Sequence, residues 1–142
     1  MSRRVVVTGV GLVTPLGTGV QKTWDALCAG KSGVGPITRF DTSDFAVKIA
    51  AEVKDFQVED HLDKKFAKHL DLFAQYAVAA AGMALRDATL TINEENAARV
   101  GSITGTGLGG LSTIEKYHQV FLERGPKRIT PFFIPMVIPN MG

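Results

Sequence analysis

The residues whose spacing most directly suggests chemistry are the glycines between positions 105 and 110. Gly105, Gly107 and Gly110 fit the pattern G-x-G-x-x-G, with a short apolar stretch before them and helical periodicity after them. Such a loop can hold the pyrophosphate of a dinucleotide if an acidic residue ends a second strand about twenty residues on. Glu123 has about this spacing but falls in the last turn of the predicted helix. We therefore expect no dinucleotide site, and we expect the glycines to admit a narrow ligand tunnel or another stretch of backbone.

Side chains that could act as nucleophiles or metal ligands are few and scattered. The chain has three histidines, His61, His69 and His118, and one cysteine, Cys28. The histidines have neither metal-ligand spacing nor the partners of a catalytic triad. Cys28 falls on the apolar face of a predicted helix, which favours a small buried residue over a nucleophile. The chain itself is therefore predicted to hold no catalytic residue, metal or cofactor.

A cluster of basic residues lies at the start of a long helix, which is predicted to be capped by Asp63 and to run to about Asp87. The cluster consists of Lys64, Lys65, Lys68 and His69. The helix dipole disfavours cations at this end. The cluster is therefore either a solvated turn or a docking surface for an acidic partner, whose binding would offset that cost. Lys127 and Arg128, which follow the next helix, would extend such a surface.

The elements that must position these residues alternate between strands and helices. Residues 4–8 and 99–104 are predicted to be buried strands. Each leads into a helix, which indicates a layered α/β architecture. The first helix is predicted to open at Thr18 through a capping box with Gln21. Residues 45–53 are predicted to contain an edge strand.

The end of the chain is unusually apolar. The helix after the glycine loop is predicted to run from Leu111 to about Arg124, with Gly125 as its stop signal. Residues 131–139 are strongly apolar and carry three prolines, which keep them from forming one long helix. Such a stretch is an aggregation hazard when exposed. We therefore expect the chain to be the front part of a longer protein that buries this stretch. The alternative is a small domain with an apolar tail.

Composition restricts the class of protein. A chain of 142 residues with 45% hydrophobic and 21% charged residues is typical of a globular domain or of part of a larger one. A net charge of only +2 argues against nucleic acid as the main partner. The apolar run near the N-terminus is too short for a signal peptide or a membrane span. A single cysteine fits a reduced, cytoplasmic setting.

Four segments, in order and without large gaps, resemble β-ketoacyl-[acyl-carrier-protein] synthases. They are residues 4–17 (RVVVTG, then PLG), 71–81 (DLFAQYAVAAA), 105–111 (GTGLGGL) and 131–135 (PFFIP). Each segment alone is a weak signal, but four in this order are specific. The glycine loop together with PFFIP resembles type II, the elongating synthase, more than type I.

The resemblance implies a thiolase-like α/β fold, a layered α/β/α/β/α dimer. Residues 1–142 would be its N-terminal part, truncated before the catalytic cysteine. It also implies a decarboxylative Claisen condensation. A cysteine takes up an acyl group, malonyl-carrier protein loses carbon dioxide, and the resulting carbanion attacks the thioester. The family's nucleophile and two histidines would lie beyond this chain, and Cys28 does not match the nucleophile's motif. Catalysis would then belong to a parent 3-oxoacyl-[acyl-carrier-protein] synthase of fatty-acid elongation.

The same resemblance assigns partners and site residues. It implies acyl carrier protein and a second copy of the chain as partners, with no nucleic acid and no membrane. Gly107 and Leu108 match the gate of the acyl pocket, and Phe133 and Ile134 match residues that line the partner's acyl tunnel across the dimer interface. The residues that match the basic surface for the acidic carrier protein are Lys65, Lys68, Lys127 and Arg128. His69 stands where a full cation is typical of the family.

Three alternatives share part of this pattern. A ketosynthase of polyketide assembly has the same motifs and differs mainly in its substrate. A non-catalytic chain-length partner subunit keeps the fold without the cysteine, so the residues after position 142 would identify it. A nucleotide-binding domain predicts cofactor binding to the purified chain.

Overall fold

The computed structural model describes residues 3–141 and divides them into two compact units. Unit 1 contains the described residues up to Gln57 together with Ala80–Thr89, and unit 2 contains Val58–Ala79 together with the described residues from Leu90 onward. The helices are α1 (Val20–Cys28), α2 (Lys64–Ala67), α3 (Leu72–Asp87), α4 (Leu111–Arg124) and α5 (Phe133–Val137). The strands are β1 (Val13–Thr14), β2 (Gly17–Thr18), β3 (Val34–Pro36) and β4 (Ile49–Ala51). Helix α3 contributes its first half to unit 2 and its second half to unit 1.

Unit 1 contains two short antiparallel ribbons. Strand β1 pairs with β2, and β3 pairs with β4, which confirms the strand expected within residues 45–53. The buried Thr23 of α1 ties the helix to the first ribbon. Its hydroxyl lies within hydrogen-bond distance of the carbonyl oxygens of Gly17 (3.1 Å) and Gly19 (2.9 Å).

The start of α1 differs from the prediction. The residue before the helix is Gly19, and no side chain caps it. The prediction of a capping box between Thr18 and Gln21 is therefore wrong. The Thr18 hydroxyl donates to Asp55 instead, and the Gln21 amide donates to a carboxylate one turn further along α1. The Thr18 side chain is thus hydrogen-bonded to a distant carboxylate and does not cap the helix.

The predicted apolar face of α1 is not buried in this chain. Trp24 is 60% exposed and Leu27 is 55% exposed. Cys28 is exposed as well, so the prediction of a small buried residue at this position is wrong. The buried side chains of α1 are those of Thr23 and Ala26, because the first ribbon packs on that side of the helix.

Asp55 joins β2 to α1. Its carboxylate accepts hydrogen bonds from the Thr18 backbone N–H and hydroxyl, both at 3.3 Å, and forms an ion pair with Lys22. The hydrogen bond from the Lys22 ammonium is the main cause that lowers the pKa of Asp55 from its ordinary value of 3.8, and the Thr18 donors add to it. The carboxylate therefore stays charged throughout the neutral range.

Two glycines near the N-terminus lie against the second half of α3, within unit 1. A Cβ atom on Gly9 would lie 2.6 Å from the backbone nitrogen of Ala88. A Cβ atom on Gly11 would lie 2.8 Å from the backbone nitrogen of Ala84. Both separations are shorter than real contacts, so the close approach of two backbones requires glycine here.

The long helix predicted after Asp63 consists of two helices. Asp63 caps α2 as predicted, because its Oδ1 accepts the backbone N–H groups of Lys65 (2.8 Å) and Phe66 (3.1 Å). Helix α2 then ends at Ala67, and α3 begins at Leu72 and ends at Asp87. The end of the predicted helix is thus confirmed, but its continuity is wrong.

Side-chain hydrogen bonds stabilise the break between α2 and α3. The Gln75 side-chain nitrogen donates to the carbonyl oxygens of Ala67 and Leu70, both at 3.1 Å. The Asp71 carbonyl accepts the backbone N–H groups of Ala74 and Gln75 and so starts α3. Carbonyl groups at the end of a helix and N–H groups at the start of the next lack partners within their own helix. Here these side-chain and backbone hydrogen bonds supply partners for them. The break therefore has little cost in lost hydrogen bonds.

The two predicted buried strands are not formed in this structure. Residues 4–8 and 100–104 lie outside any helix or strand, and Ala97–Arg99 forms a 3₁₀ turn. Val5 is 90% exposed and Ile103 is fully exposed. A strand forms only beside a neighbour that completes its hydrogen bonds. In the described part of the chain, no other segment pairs with either of these two.

Candidate functional site

The second half of the glycine loop lies against the backbone of α5, within unit 2. The Gly110 N–H donates to the Val137 carbonyl at 3.3 Å. A Cβ atom on Gly109 would lie 2.5 Å from that same oxygen, and Gly109 also has a φ of 73°. By contrast, a Cβ on Gly105 or Gly107 would meet nothing within 4 Å. Of the two reasons proposed for the glycines, close approach of another backbone explains those at 109 and 110.

The four residues predicted for the acyl pocket lie on two elements that contact each other. Gly107 and Leu108 precede the anchored glycines, and Phe133 and Ile134 begin the helix that anchors them. The Leu108 side chain is 73% exposed and that of Ile134 is 56% exposed. Phe133 is half-buried and packs edge-to-face on Tyr117 of α4, with ring centroids 5.5 Å apart. Leu108 and Ile134 thus stand open rather than lining an enclosed cavity.

A buried carboxylate stands behind the glycine loop. Asp71, 8% exposed, accepts hydrogen bonds at Oδ2 from the backbone N–H (3.2 Å) and hydroxyl (2.5 Å) of Thr113. Its Oδ1 lies 3.4 Å from the N–H of Phe73 in its own helix. Helix α4 begins after Gly110, which has no side chain to cap it. Asp71 therefore caps α4 from 42 residues away while also capping α3.

The four residues predicted for the carrier-protein surface are all exposed and belong to unit 2. Lys65 lies in α2 and Lys68 directly follows it, while Lys127 and Arg128 lie in a 3₁₀ turn directly after α4. Among residues 3–141, no salt bridge involves any of these four side chains. None of the four charged groups is therefore held in an ion pair within the described residues.

A stacked pair of rings joins the two chain segments that carry these cations. The His69 ring stacks on Phe132, with centroids 3.9 Å apart and ring planes 29° apart. His69 follows Lys68 directly, and Phe132 lies four residues after Arg128. The same contact places the end of α2 beside the residue that precedes α5, and hence beside Phe133.

The geometry disfavours the chemistry of a dinucleotide or metal site. Glu123 lies in the last turn of α4, as predicted, and the residues before the glycine loop are not a strand. The acidic residue that a dinucleotide site requires is thus not at a strand end. Within residues 3–141 no group of three His, Cys, Asp or Glu side chains could hold a metal ion. Over the same range, no helix combines the length and apolar character that crossing a bilayer requires.

The family of the chain follows from its sequence profile. The profile described as "Beta-ketoacyl synthase, N-terminal domain" matches residues 2–142. The chain therefore belongs to the β-ketoacyl synthase family, as predicted from the four segments.

Individual relatives agree with this assignment. The chain is 50% identical over 139 residues to the 3-oxoacyl-[acyl-carrier-protein] synthase 2 of Vibrio cholerae, which covers 98% of this chain and 34% of the relative. Among solved structures, the β-ketoacyl synthase from Burkholderia phymatum STM815 matches with a TM-score of 0.78 and 28% identity, over 99% of this chain and 35% of that one. The ishigamide ketosynthase/chain length factor matches with a TM-score of 0.74 and 36% identity, over 96% and 34%.

These comparisons confirm the predicted fold class, because the matching structures are thiolase-like ketosynthases. The chain spans about a third of the length of the curated relatives that it matches.

Asp71 and Thr113 are the two site residues that inspection of the sequence missed. Asp71 stands directly before an apolar helix, a position in which an acidic residue favours a helix start. Nothing in the sequence indicates that its second oxygen bonds to Thr113. That contact depends on how α3 and α4 pack.

Proposed function

We propose that this chain is the N-terminal part of a 3-oxoacyl-[acyl-carrier-protein] synthase of fatty-acid elongation, an acyltransferase of the cytoplasm. The observation that carries the proposal is identity of 46–50% over 98–99% of the chain to proteins named 3-oxoacyl-[acyl-carrier-protein] synthase 2. The reaction is a decarboxylative Claisen condensation. Its nucleophilic cysteine and two histidines lie, on this proposal, after residue 142.

The role of this part of the chain is to shape and gate the acyl site. Leu108 stands at the mouth of the acyl pocket, with Gly107 leaving room beside it. Phe133 and Ile134 extend toward a second copy of the chain in a homodimer. The high exposure of the apolar Leu108 and Ile134 supports these roles, because large apolar side chains of this kind are usually covered in a finished protein.

The activity can be tested directly in the complete enzyme. We expect it to convert an acyl carrier protein thioester and malonyl-carrier protein into the 3-oxoacyl product with release of one carbon dioxide per turnover. Mass spectrometry of the carrier-bound product, together with capture of the carbon dioxide, measures both. Absence of condensation with every acyl donor, from an enzyme that is folded, would contradict the proposal.

One observation favours a second function, that of a polyketide ketosynthase or of a non-catalytic chain-length partner. The ishigamide ketosynthase/chain length factor is 36% identical to this chain. The same assay separates the possibilities. A polyketide enzyme would prefer acceptors that retain a 3-oxo group, and a chain-length partner would release no carbon dioxide by itself. Fatty-acid elongation requires activity on fully reduced acyl chains.

The acidic carrier protein is proposed to dock on Lys65, Lys68, Lys127 and Arg128. Because no salt bridge among residues 3–141 involves these four side chains, a partner's carboxylates can supply the complementary charge. Helix α2 is a single turn with Lys68 at its C-terminal end, so the cost that a long helix dipole would impose on these cations does not arise.

Reversing two of these charges should weaken docking in a salt-dependent way. We expect Lys65→Glu with Lys68→Glu to raise the Kd for acyl carrier protein about tenfold at low salt, and the difference to shrink as salt is added. A matched control is Lys31→Glu with Lys54→Glu, two exposed lysines of unit 1, which changes the net charge equally. An equal effect of both double variants, or a Kd insensitive to salt, would exclude this docking surface.

A further inference from the structure

One carboxylate, that of Asp71, holds the start of the helix that follows the glycine loop. The N-terminal ends of α3 and α4 both meet this group, whose Oδ1 faces the Phe73 amide and whose Oδ2 holds both donors of Thr113. Asp71 and Thr113 are both buried. A charged acceptor at two helix N-termini is favoured by both dipoles as well as by the hydrogen bonds. The pair thus fixes the first turn of α4 to the first turn of α3.

The same carboxylate also limits where the loop backbone can lie. A Cβ on Gly110 would lie 3.2 Å from Asp71 Oδ2 and 2.6 Å from the Met136 carbonyl oxygen. The backbone at Gly110 therefore lies close to both the carboxylate and α5. Leu108 lies only two residues before it, and its side chain is 73% exposed. Its position is set by this anchored backbone rather than by packing of its own side chain.

We propose that Asp71 is a positioning residue of the acyl site, which anchors the end of the glycine loop, fixes Leu108 across the path of the acyl chain and so sets chain-length discrimination. This inference rests on the proposed function, because it takes Leu108 as the gate. Asp71 does not contact the acyl chain. It acts through Thr113 and the Gly109–Gly110 backbone.

The test uses Asp71→Asn in the complete enzyme. Asparagine keeps the shape but loses the charge and turns an NH₂ group toward the amide donors of one helix end. We expect the ratio of single-turnover acylation rates for a medium-chain and a long-chain acyl carrier protein to move toward one by about tenfold. We also expect faster amide hydrogen exchange at residues 108–113. A merely structural role would slow both donors equally.

Variants of Thr113 provide the second arm and the rescue. Thr113→Val removes the hydroxyl donor and should shift the ratio in the same direction but less, whereas Thr113→Ser keeps the donor and should restore it. If Asp71→Asn does not fold, Thr113→Val decides the question. An unchanged ratio in Thr113→Val, with hydrogen exchange at residues 108–113 also unchanged, would overturn the inference.

Asp55→Asn is a matched control, because Asp55 also accepts from the backbone N–H and hydroxyl of one threonine, Thr18, but lies in unit 1. It should lower stability without changing the ratio. A shifted ratio in this control would mean that general destabilisation causes the effect, and would overturn the inference. A wild-type enzyme that shows no acyl transfer would overturn both the inference and the proposed function. An active wild type whose Asp71 and Thr113 variants keep its discrimination would overturn the inference alone.

Discussion

Gly110→Ala is expected to lower the free energy of unfolding by about 3 kcal/mol, the upper range for overpacking a tight site. The added methyl would lie 2.6 Å from the Met136 carbonyl oxygen and 3.1 Å from the Val137 Cα. Both neighbours belong to backbone, which cannot move aside as a flexible side chain does. Gly109→Ala should cost a similar amount, since its φ of 73° adds backbone strain to a clash with the Val137 carbonyl.

Two other glycines of the same loop serve as controls. Gly105→Ala and Gly107→Ala place their methyl groups in open space, and neither residue has a positive φ. We expect both to change the free energy of unfolding by less than about 0.5 kcal/mol. Urea denaturation of the four variants, monitored by circular dichroism, makes the comparison. Equal destabilisation by Gly105→Ala and Gly110→Ala would show that the loop does not lie against α5.

Helix boundaries could be predicted where a local signal decides them. Asp63 caps α2 because a carboxylate one residue before a helix can accept hydrogen bonds from the backbone N–H groups of the first turn. Gly125 ends α4 with a φ of 77°, a conformation that glycine adopts without strain. In both cases the interacting groups lie within four residues of each other. Sequence patterns predict such helix ends where no distant group competes for the capping side chain.

The predicted elements that failed depend on distant partners. The strands at 4–8 and 99–104 need neighbouring strands, which no local pattern supplies. The break before α3 is stabilised by Asp71 and Gln75. The sequence indicates that Asp71 can start a helix, but it does not indicate the hydrogen bonds of Gln75. The Thr18 side chain could cap α1, but it donates instead to a carboxylate 37 residues away. Propensity gives a weak preference that such contacts override.

The candidate site divides in the same way. Exposure of the lysines at 65, 68 and 127 follows from residue type, because such side chains are almost never fully buried unless they are paired. That the glycine loop and α5 lie together could not be derived from spacing, since 20 residues and a whole helix separate Leu111 from Pro131. The resemblance to the synthase family assigned Phe133 and Ile134 to the tunnel of a partner chain, whereas the contacts of Gly109 and Gly110 with α5 lie within one chain.

Leu108→Trp, made in the complete enzyme, should slow acylation by long-chain donors about ten- to hundredfold, which corresponds to about 1–3 kcal/mol of overpacking in the transition state. On the proposed role of Leu108 as the gate, the acyl chain passes through the open space beside Gly107, and an indole would occupy that space. Donors with a two-carbon acyl group should be affected much less, because they need not pass the gate. Rapid-quench measurement of the acyl-enzyme with both donors gives the two rates.

Folding and gating can be separated because Leu108 is 73% exposed in this chain. The larger side chain meets no packed neighbour here, so the unfolding transition of the isolated chain should not shift, in contrast to that of Gly110→Ala. Leu108→Met is the control in the enzyme, since it nearly conserves volume and should keep long-chain acylation. Equal loss of rate with short and long donors would indicate a distorted loop rather than a blocked path. Unchanged long-chain rates would exclude Leu108 as the gate, while leaving the anchoring of the loop by Asp71 and α5 as a feature of the fold alone.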